Sequence, residues 1–134
     1  MEQKKLKQEL LQASDGLWIM SETDAAFEFV FYQLPDDNAF TPELIAAWDG
    51  QAAGTRVETL ELETFFYRAL HPHPDSGTKA VESAGKFKHL VQKLHELLHQ
   101  PKAYKVGEIS MPVYLVGNTG KGAYAGLKTL VVET

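Results

Sequence analysis

The chain has 134 residues, of which 44% are hydrophobic and 23% are charged. These values are ordinary for one globular domain, so we expect a single packed domain over residues 1–134 and exclude a disordered or fibrous chain. Thirteen Lys plus Arg against eighteen Asp plus Glu give a net charge of −5. This balance disfavours direct binding of nucleic acid and favours a basic partner. The absence of cysteine excludes disulfides and thiolate metal sites.

The N-terminal segment Met1-Glu2-Gln3-Lys4-Lys5 opens an amphipathic pattern and not the apolar core of a signal peptide. No apolar run approaches the length of a membrane span. We therefore expect a cytoplasmic protein that does not bind membranes and is monomeric on its own.

The first third of the chain predicts a helix, an acidic loop and a strand. Apolar residues within 6–13 recur at helical spacing, and Asp15-Gly16 ends the pattern with a glycine typical of helix C-termini. Residues 21–24 are Ser-Glu-Thr-Asp, which favours an exposed acidic loop. From Phe27 the apolar residues alternate with a period of two, which predicts a strand ending near Pro35.

The middle of the chain predicts two helices, a strand and a loop. Thr41-Pro42-Glu43 has a hydroxyl N-cap, a proline at the first helical position and an acid in the first turn. Residues 56–60 favour a short strand, and 61–70 return to helical spacing. Two prolines within 71–77 exclude helix and predict a surface loop.

The last third of the chain predicts the main core helix, which spans about 79–100 and stops at Pro101. Three strands follow as an antiparallel meander with turns at 110–111 and 117–122, and they cover 104–109, 112–116 and 123–132. The element order α-β-α-β-α-α-β-β-β predicts an α+β domain with helices available to both faces of its sheet.

Histidine spacing raises a metal-dependent hydrolase as one alternative. His95 and His99 lie four residues apart on the predicted helix, and His95-Glu96-Leu97-Leu98-His99 superficially matches the zincin string. We favour exposed residues of the last helical turn, because a zincin needs a buried helix and a third ligand. For His71 and His73 we favour a solvated linker over a metal clip.

Two further groups of residues favour structural interpretations. The glycine-rich segment 117–122 leads into a strand and not a helix, so a hairpin turn is expected in place of a phosphate-binding loop. The carboxylates of Glu22, Asp24 and Glu28 are expected to form an exposed acidic patch and not a catalytic pair, because no second polar wall can be located.

The C-terminus is a candidate functional group. An apolar, strand-like run from Leu130 ends at the α-carboxylate of Thr134 with no polar tail after it. A carboxylate held by a strand is suited to block a basic, metal-containing cleft, because hard divalent cations take oxygen ligands. The alternative is a strand that simply ends the protein.

Several short strings give the chain its resemblance to a known family. They are Ser14-Asp15-Gly16-Leu17, Met20-Ser21-Glu22, Phe27-Glu28, Gly107-Glu108, Val113-Tyr114 and Val131-Val132-Glu133-Thr134. From about Leu6 to Thr134 the chain resembles the bacterial nuclease A inhibitor. The resemblance implies a three-layer α/β/α sandwich around a mixed sheet with a C-terminal antiparallel meander. It also implies a non-enzymatic, 1:1 inhibitor of a magnesium-dependent, sugar-nonspecific endonuclease of the ββα-metal type.

The resemblance also implies the site residues. The carboxylate of Thr134 would reach the nuclease's catalytic metal in the complex, and Glu22 would support it. The candidate partner-binding residues are thus Glu22, Asp24, Asp75, Glu133 and Thr134, with no cofactor of the protein's own. The family has an acid followed by tryptophan before its long helix, where this chain has Asp75-Ser76. A domain of the same fold that binds another basic protein is the main alternative.

Overall fold

A computed structural model describes residues 3–17, 19–20, 24–34, 40–52, 54–120 and 122–132. For Ile19, Met20, Asp24 and Ser76 it describes the backbone alone. Within these residues, none of the helices is both long and apolar enough to span a bilayer.

The described residues form five α-helices, one 3-10 turn and seven strands. In chain order these are α1 (Gln3–Ala13), β1 (Ile19–Met20), β2 (Asp24–Ala25), β3 (Glu28–Gln33), α2 (Pro42–Trp48), β4 (Val57–Leu60), α3 (Leu62–Phe65), α4 (Tyr67–Leu70), the 3-10 turn (Pro74–Ser76), α5 (Thr78–Leu97), β5 (His99–Val106), β6 (Ser110–Asn118) and β7 (Ala123–Val132). The α+β class is confirmed and the predicted order of elements is confirmed in outline.

The main sheet has five strands in the order β3-β7-β6-β5-β4, and β1 pairs with β2 in a separate ribbon. Every one of these strand pairs is antiparallel. The prediction of a mixed sheet is therefore wrong. Short hairpins join β5 to β6 and β6 to β7, and a hairpin connection requires antiparallel neighbours.

Each face of the sheet is covered by its own apolar cluster. One cluster joins buried residues of α1, α3 and α5 to Val113 and Leu115 of β6. The other joins Ile45 of α2 to Tyr114 and Val116 of the same strand. Neighbouring residues of a strand point to opposite faces. Helix α2 therefore packs on one face, and α1, α3 and α5 pack on the other.

Helix α5 is the main core helix, as predicted, but it ends earlier than expected. Its backbone becomes extended at Leu98, with φ −126° and ψ 151°, and Gln100 has φ +47°. Strand β5 consequently begins at His99. At the other end of the helix, Val81 falls in the apolar stripe of the sequence, yet 64% of it is exposed.

The turn between β5 and β6 also differs from the prediction. It lies at residues 107–109, because Gly107 takes φ +92°, a conformation that glycine adopts without strain. Ser110 and Met111 were predicted as the turn, but they pair with Val132 and Val131 of β7. Ile109 is thereby placed at the hairpin tip and not inside a strand.

Candidate partner-binding site

The predicted site residues fall partly outside the described structure. Glu22, Glu133 and Thr134 lie outside the described residues. Asp24 is described by its backbone, which belongs to β2 and not to a loop. Asp75 lies in the 3-10 turn before α5.

Two paired strands flank residues 21–23 in the chain. Ile19 pairs with Ala25, and Met20 pairs with Asp24. Both short strands contact β7. The buried hydroxyl of Thr129 in β7 donates a hydrogen bond of 3.4 Å to the carbonyl oxygen of Ala25. The ribbon that flanks residues 21–23 therefore lies against the last part of β7.

The end of β7 is held by pairing with β6. Residues 123–128 of β7 pair with β3 on one side and all but the first of them with β6 on the other, whereas residues 129–132 pair with β6 alone in the main sheet. Its last described residue, Val132, pairs with Ser110, and the preceding Val131 is buried. Paired backbone with buried side chains belongs to the more stable parts of a fold. The segment leading to Glu133 and Thr134 thus has a rigid base.

Among the candidate site residues, Asp75 is the one whose side chain the structure describes. Its carboxylate is 91% exposed and lies 3.6 Å from Nδ1 of His73, which also accepts a hydrogen bond of 3.2 Å from the Asp75 amide. These contacts are local, so the carboxylate remains accessible to a partner.

The direction of α5 shows where Asp75 lies relative to β7. The C-terminus of α5 leads directly into His99 at the end of the sheet where β7 begins. Further back along the helix, the ring of Phe87 packs on Phe66, which packs on Phe27 beside the C-terminal half of β7. The helix starts nine residues before Phe87, so its N-terminus lies about 13 Å beyond Phe87 along the helix axis, in the direction away from His99. The 3-10 turn with Asp75 is therefore directed toward the end of the domain at which β7 terminates.

The opposite face of the sheet holds a buried polar cluster that the sequence did not reveal. The Asp49 carboxylate follows α2, and its side chain is only 6% exposed. Its Oδ1 accepts a hydrogen bond of 2.7 Å from the Tyr114 hydroxyl and lies 3.0 Å from Nζ of Lys128. Its Oδ2 accepts a hydrogen bond of 2.8 Å from Gln51. Gln51 is a local partner, but Tyr114 and Lys128 belong to distant strands, so no local pattern could have indicated the cluster.

The pKa values in this cluster follow from burial and hydrogen bonding. Burial acts to raise the pKa of Asp49, but hydrogen bonds from Tyr114, Gln51 and Lys128 and the charge of Lys128 outweigh it, so the pKa is lowered. Burial, followed by the hydrogen bond to Asp49, raises the pKa of Tyr114. The carboxylate is therefore charged and the phenol neutral at neutral pH, which marks a structural ion pair.

The histidine pair of the hydrolase alternative is not formed. His95 lies on α5, whereas His99 lies on β5 beyond the end of the helix, so the two are not one helical turn apart. Nε2 of His95 instead lies 2.9 Å from a carboxylate oxygen of Glu63. No group of three or more His, Asp or Glu side chains in the described part of the chain is placed to hold a metal ion.

Comparison with protein families matches residues 4–134 to the nuclease A inhibitor-like protein family. The match covers nearly the whole chain, and the protein belongs to this family. A search of curated proteins gives no match. Membership indicates a protein of the inhibitor class with a nuclease as its partner.

Proposed function

We propose that this protein is a stoichiometric inhibitor of a magnesium-dependent, sugar-nonspecific endonuclease, and that it blocks the active site with its C-terminal carboxylate and the acidic turn around Glu22. The observation that carries this proposal is the contact between the β1–β2 ribbon and the last part of β7. That contact brings the ribbon that flanks residues 21–23 against the part of β7 that leads to residue 134, which supports the action of both anions on one cleft.

Chain connectivity limits how far these anions can lie from their anchors. Glu22 is two residues from Met20 and from Asp24, which pair with each other. Thr134 is two residues from Val132. Since an extended chain spans at most about 3.6 Å per residue, each anion lies within roughly 7 Å of its anchor, measured between Cα atoms.

The chemistry of the two anions suits the active site of a nuclease. Magnesium prefers oxygen ligands, so a carboxylate can replace a phosphate oxygen of the substrate at the metal. A second carboxylate can form charge-assisted hydrogen bonds with the Arg or Lys side chains that normally bind the nucleic acid backbone. Because both groups would occupy the position of the substrate, inhibition is expected to be competitive.

Rigid support for these groups would favour tight binding. Association carries an entropic cost for every segment that becomes ordered on binding. The base of the C-terminal segment is already fixed by pairing of Val132 with Ser110, and the ribbon is fixed by its contact with Thr129. Little of the binding free energy would then be lost to ordering these two supports.

The test is titration of a ββα-metal endonuclease with this protein in the presence of magnesium, with DNA cleavage as the readout. The full chain should reach complete inhibition at a 1:1 ratio, and inhibition should weaken as substrate concentration rises. Deletion of Thr134 and the substitution Glu22→Ala should each weaken inhibition. Glu43→Ala should leave inhibition unchanged. It removes an exposed acid from α2, which packs on the face of the sheet opposite α1 and α5.

Two results would contradict the proposal in different ways. Unchanged inhibition after Glu22→Ala is combined with deletion of Thr134 would reject the mechanism while keeping the inhibitor class. A full chain that inhibits no such nuclease would reject the function, and binding of another basic protein would then become the leading hypothesis.

A further inference from the structure

The hairpin tip between β5 and β6, residues 107–109, presents a large apolar side chain to solvent. Ile109 is 62% exposed, and the neighbouring Glu108 is also exposed. The tip is well held, because Gly107 takes φ +92° and its amide donates a hydrogen bond of 2.8 Å to the carbonyl oxygen of Arg56. Ile109 is therefore displayed on a defined turn.

The position of this tip is fixed by strand register. Ser110, the residue after Ile109, pairs with Val132 at the end of β7. Paired Cα atoms are about 5 Å apart and consecutive Cα atoms 3.8 Å apart, so the Cα of Ile109 lies within about 13 Å of that of residue 133. The tip thus adjoins the segment that carries the proposed inhibitory carboxylate.

An isoleucine is an unusual choice for such a turn. Hairpin tips favour Gly, Asn, Asp and Ser, which satisfy turn conformations and are well hydrated. A side chain this exposed adds little to the core, and a branched apolar group at a tip is suited to enter a shallow pocket on a partner. Buried apolar anchors surrounded by polar groups commonly supply much of the energy of an interface.

We propose that the hairpin tip is a further contact with the nuclease, in which Ile109 enters an apolar depression beside the metal cleft and Glu108 meets a basic side chain at its rim. This inference rests on the proposed function. The partner that contacts this hairpin tip is a basic protein, because the exposed carboxylates of Glu108 and Asp75 lie toward the end of the domain at which β7 terminates. Their charge complements the cationic rim expected of a cleft that binds nucleic acid.

The experiment compares Ile109→Ser with Tyr67→Ser in binding to a ββα-metal endonuclease with magnesium. Tyr67 is 61% exposed and lies on α4. Leu70 of α4 and the following His71 line a groove with His95 in the C-terminal half of α5. Tyr67 is a matched apolar control away from the hairpin tip. Ile109→Ser should raise the Kd by about tenfold or more, mainly through faster dissociation. Tyr67→Ser should leave the Kd within about twofold of the parent.

Thermal unfolding of each variant checks that the fold is kept, and unchanged Tm is expected for Ile109→Ser because the side chain is exposed. Glu108→Gln should weaken binding less, and its effect should diminish with added salt. If the parent inhibits the nuclease and Ile109→Ser binds equally well, this inference is overturned and the proposed function stands. If the parent does not bind the nuclease, both are overturned.

Discussion

Lys128 and Asp49 form an ion pair across the face of the sheet covered by α2, with Nζ of Lys128 3.0 Å from Oδ1 of Asp49. Lys128 belongs to β7 and Asp49 follows α2, so the pair fastens this helix to the strand that leads to the C-terminus. The same carboxylate oxygen accepts the hydroxyl hydrogen of Tyr114 from β6. One carboxylate thus joins α2, β6 and β7.

Asp49→Ala is expected to lower the free energy of unfolding by about 3 kcal/mol, because it leaves Lys128 and Tyr114 without their shared partner in a largely buried site. Tyr114→Phe, which removes one donor, should cost about 1 kcal/mol. Urea denaturation measures both. Glu58→Ala serves as the control, since its ion pair with Arg56 is exposed and 3.8 Å long, and it should change stability by less than about 0.5 kcal/mol.

The same carboxylate should make stability depend on pH in acid. Its pKa in the folded protein is lowered from 3.8, so its contribution is fully present above that value and is lost as pH falls through the lower, folded pKa. The difference in unfolding free energy between the parent and Asp49→Asn should therefore be constant near neutral pH and should shrink below pH 3.8. A difference that stays constant throughout the acid range would argue against the lowered pKa. Other carboxylates cancel in this comparison.

A buried tyrosine should make the protein lose stability as pH rises in the alkaline range. Burial raises the pKa of Tyr104 from 10.0 to about 12. The unfolded chain releases this proton first, so the stabilising contribution is complete below pH 10.0 and is lost as pH rises toward about 12. Over that range the stability of Tyr104→Phe should fall less steeply than that of the parent, by up to ~1.4 kcal/mol per pH unit. Parallel slopes in urea titrations of the two proteins would contradict this.

Two glycines offer opposite expectations for the same substitution. A Cβ on Gly126 would lie only 1.9 Å from the backbone oxygen of Leu115 in the neighbouring strand, so Gly126→Ala should destabilise by about 3 kcal/mol or more. Gly85 lies within α5, and a Cβ there would meet nothing within 4 Å. Gly85→Ala should therefore stabilise by about 1 kcal/mol. Equal effects of the two changes in denaturation curves would show that the close approach of β6 and β7 is absent.

Ser76→Trp is expected to tighten binding to the nuclease by about tenfold. The resemblance of the sequence implies a tryptophan at position 76, and here that position belongs to the 3-10 turn next to the exposed Asp75. An added aromatic side chain at this turn would extend the proposed contact surface. Measurement of the dissociation rate tests this, since the gain should come mainly from slower release. Equal or faster release from the variant would place position 76 outside the interface.

The local signals in the sequence were reliable where one segment decides its own structure. Thr41 is the N-cap of α2, as predicted from the proline and acid that follow it, although its hydroxyl makes no capping hydrogen bond. Alternation correctly predicted that Phe27, Phe29 and Phe31 share one face of β3, and in the structure all three pack in the cluster that contains α1. These features depend on backbone preferences and on side-chain period, which are properties of neighbouring residues.

The ends of elements were less predictable, because tertiary pairing decides them. The tip of the β5–β6 hairpin lies at 107–109 and not at the predicted 110–111, because Ser110 and Met111 pair with β7. The predicted position of His99 in the last turn of the helix was wrong for a related reason, because His99 pairs with Asn118 at the start of β5. In each case inter-strand pairing decided where the element begins.

The sequence by itself determined the α+β class, the long core helix, the C-terminal meander and the family. Each of these depends on the order and periodicity of residues, which the chain carries without reference to its folded form. Only the tertiary structure decided that the described strands of the sheet are all antiparallel. It also decided that the β1–β2 ribbon contacts the last part of β7 through Ala25 and Thr129, and that Asp49 contacts Lys128 and Tyr114. Such contacts join residues 65 or more positions apart. They arise from the packing of whole elements, which no local pattern encodes.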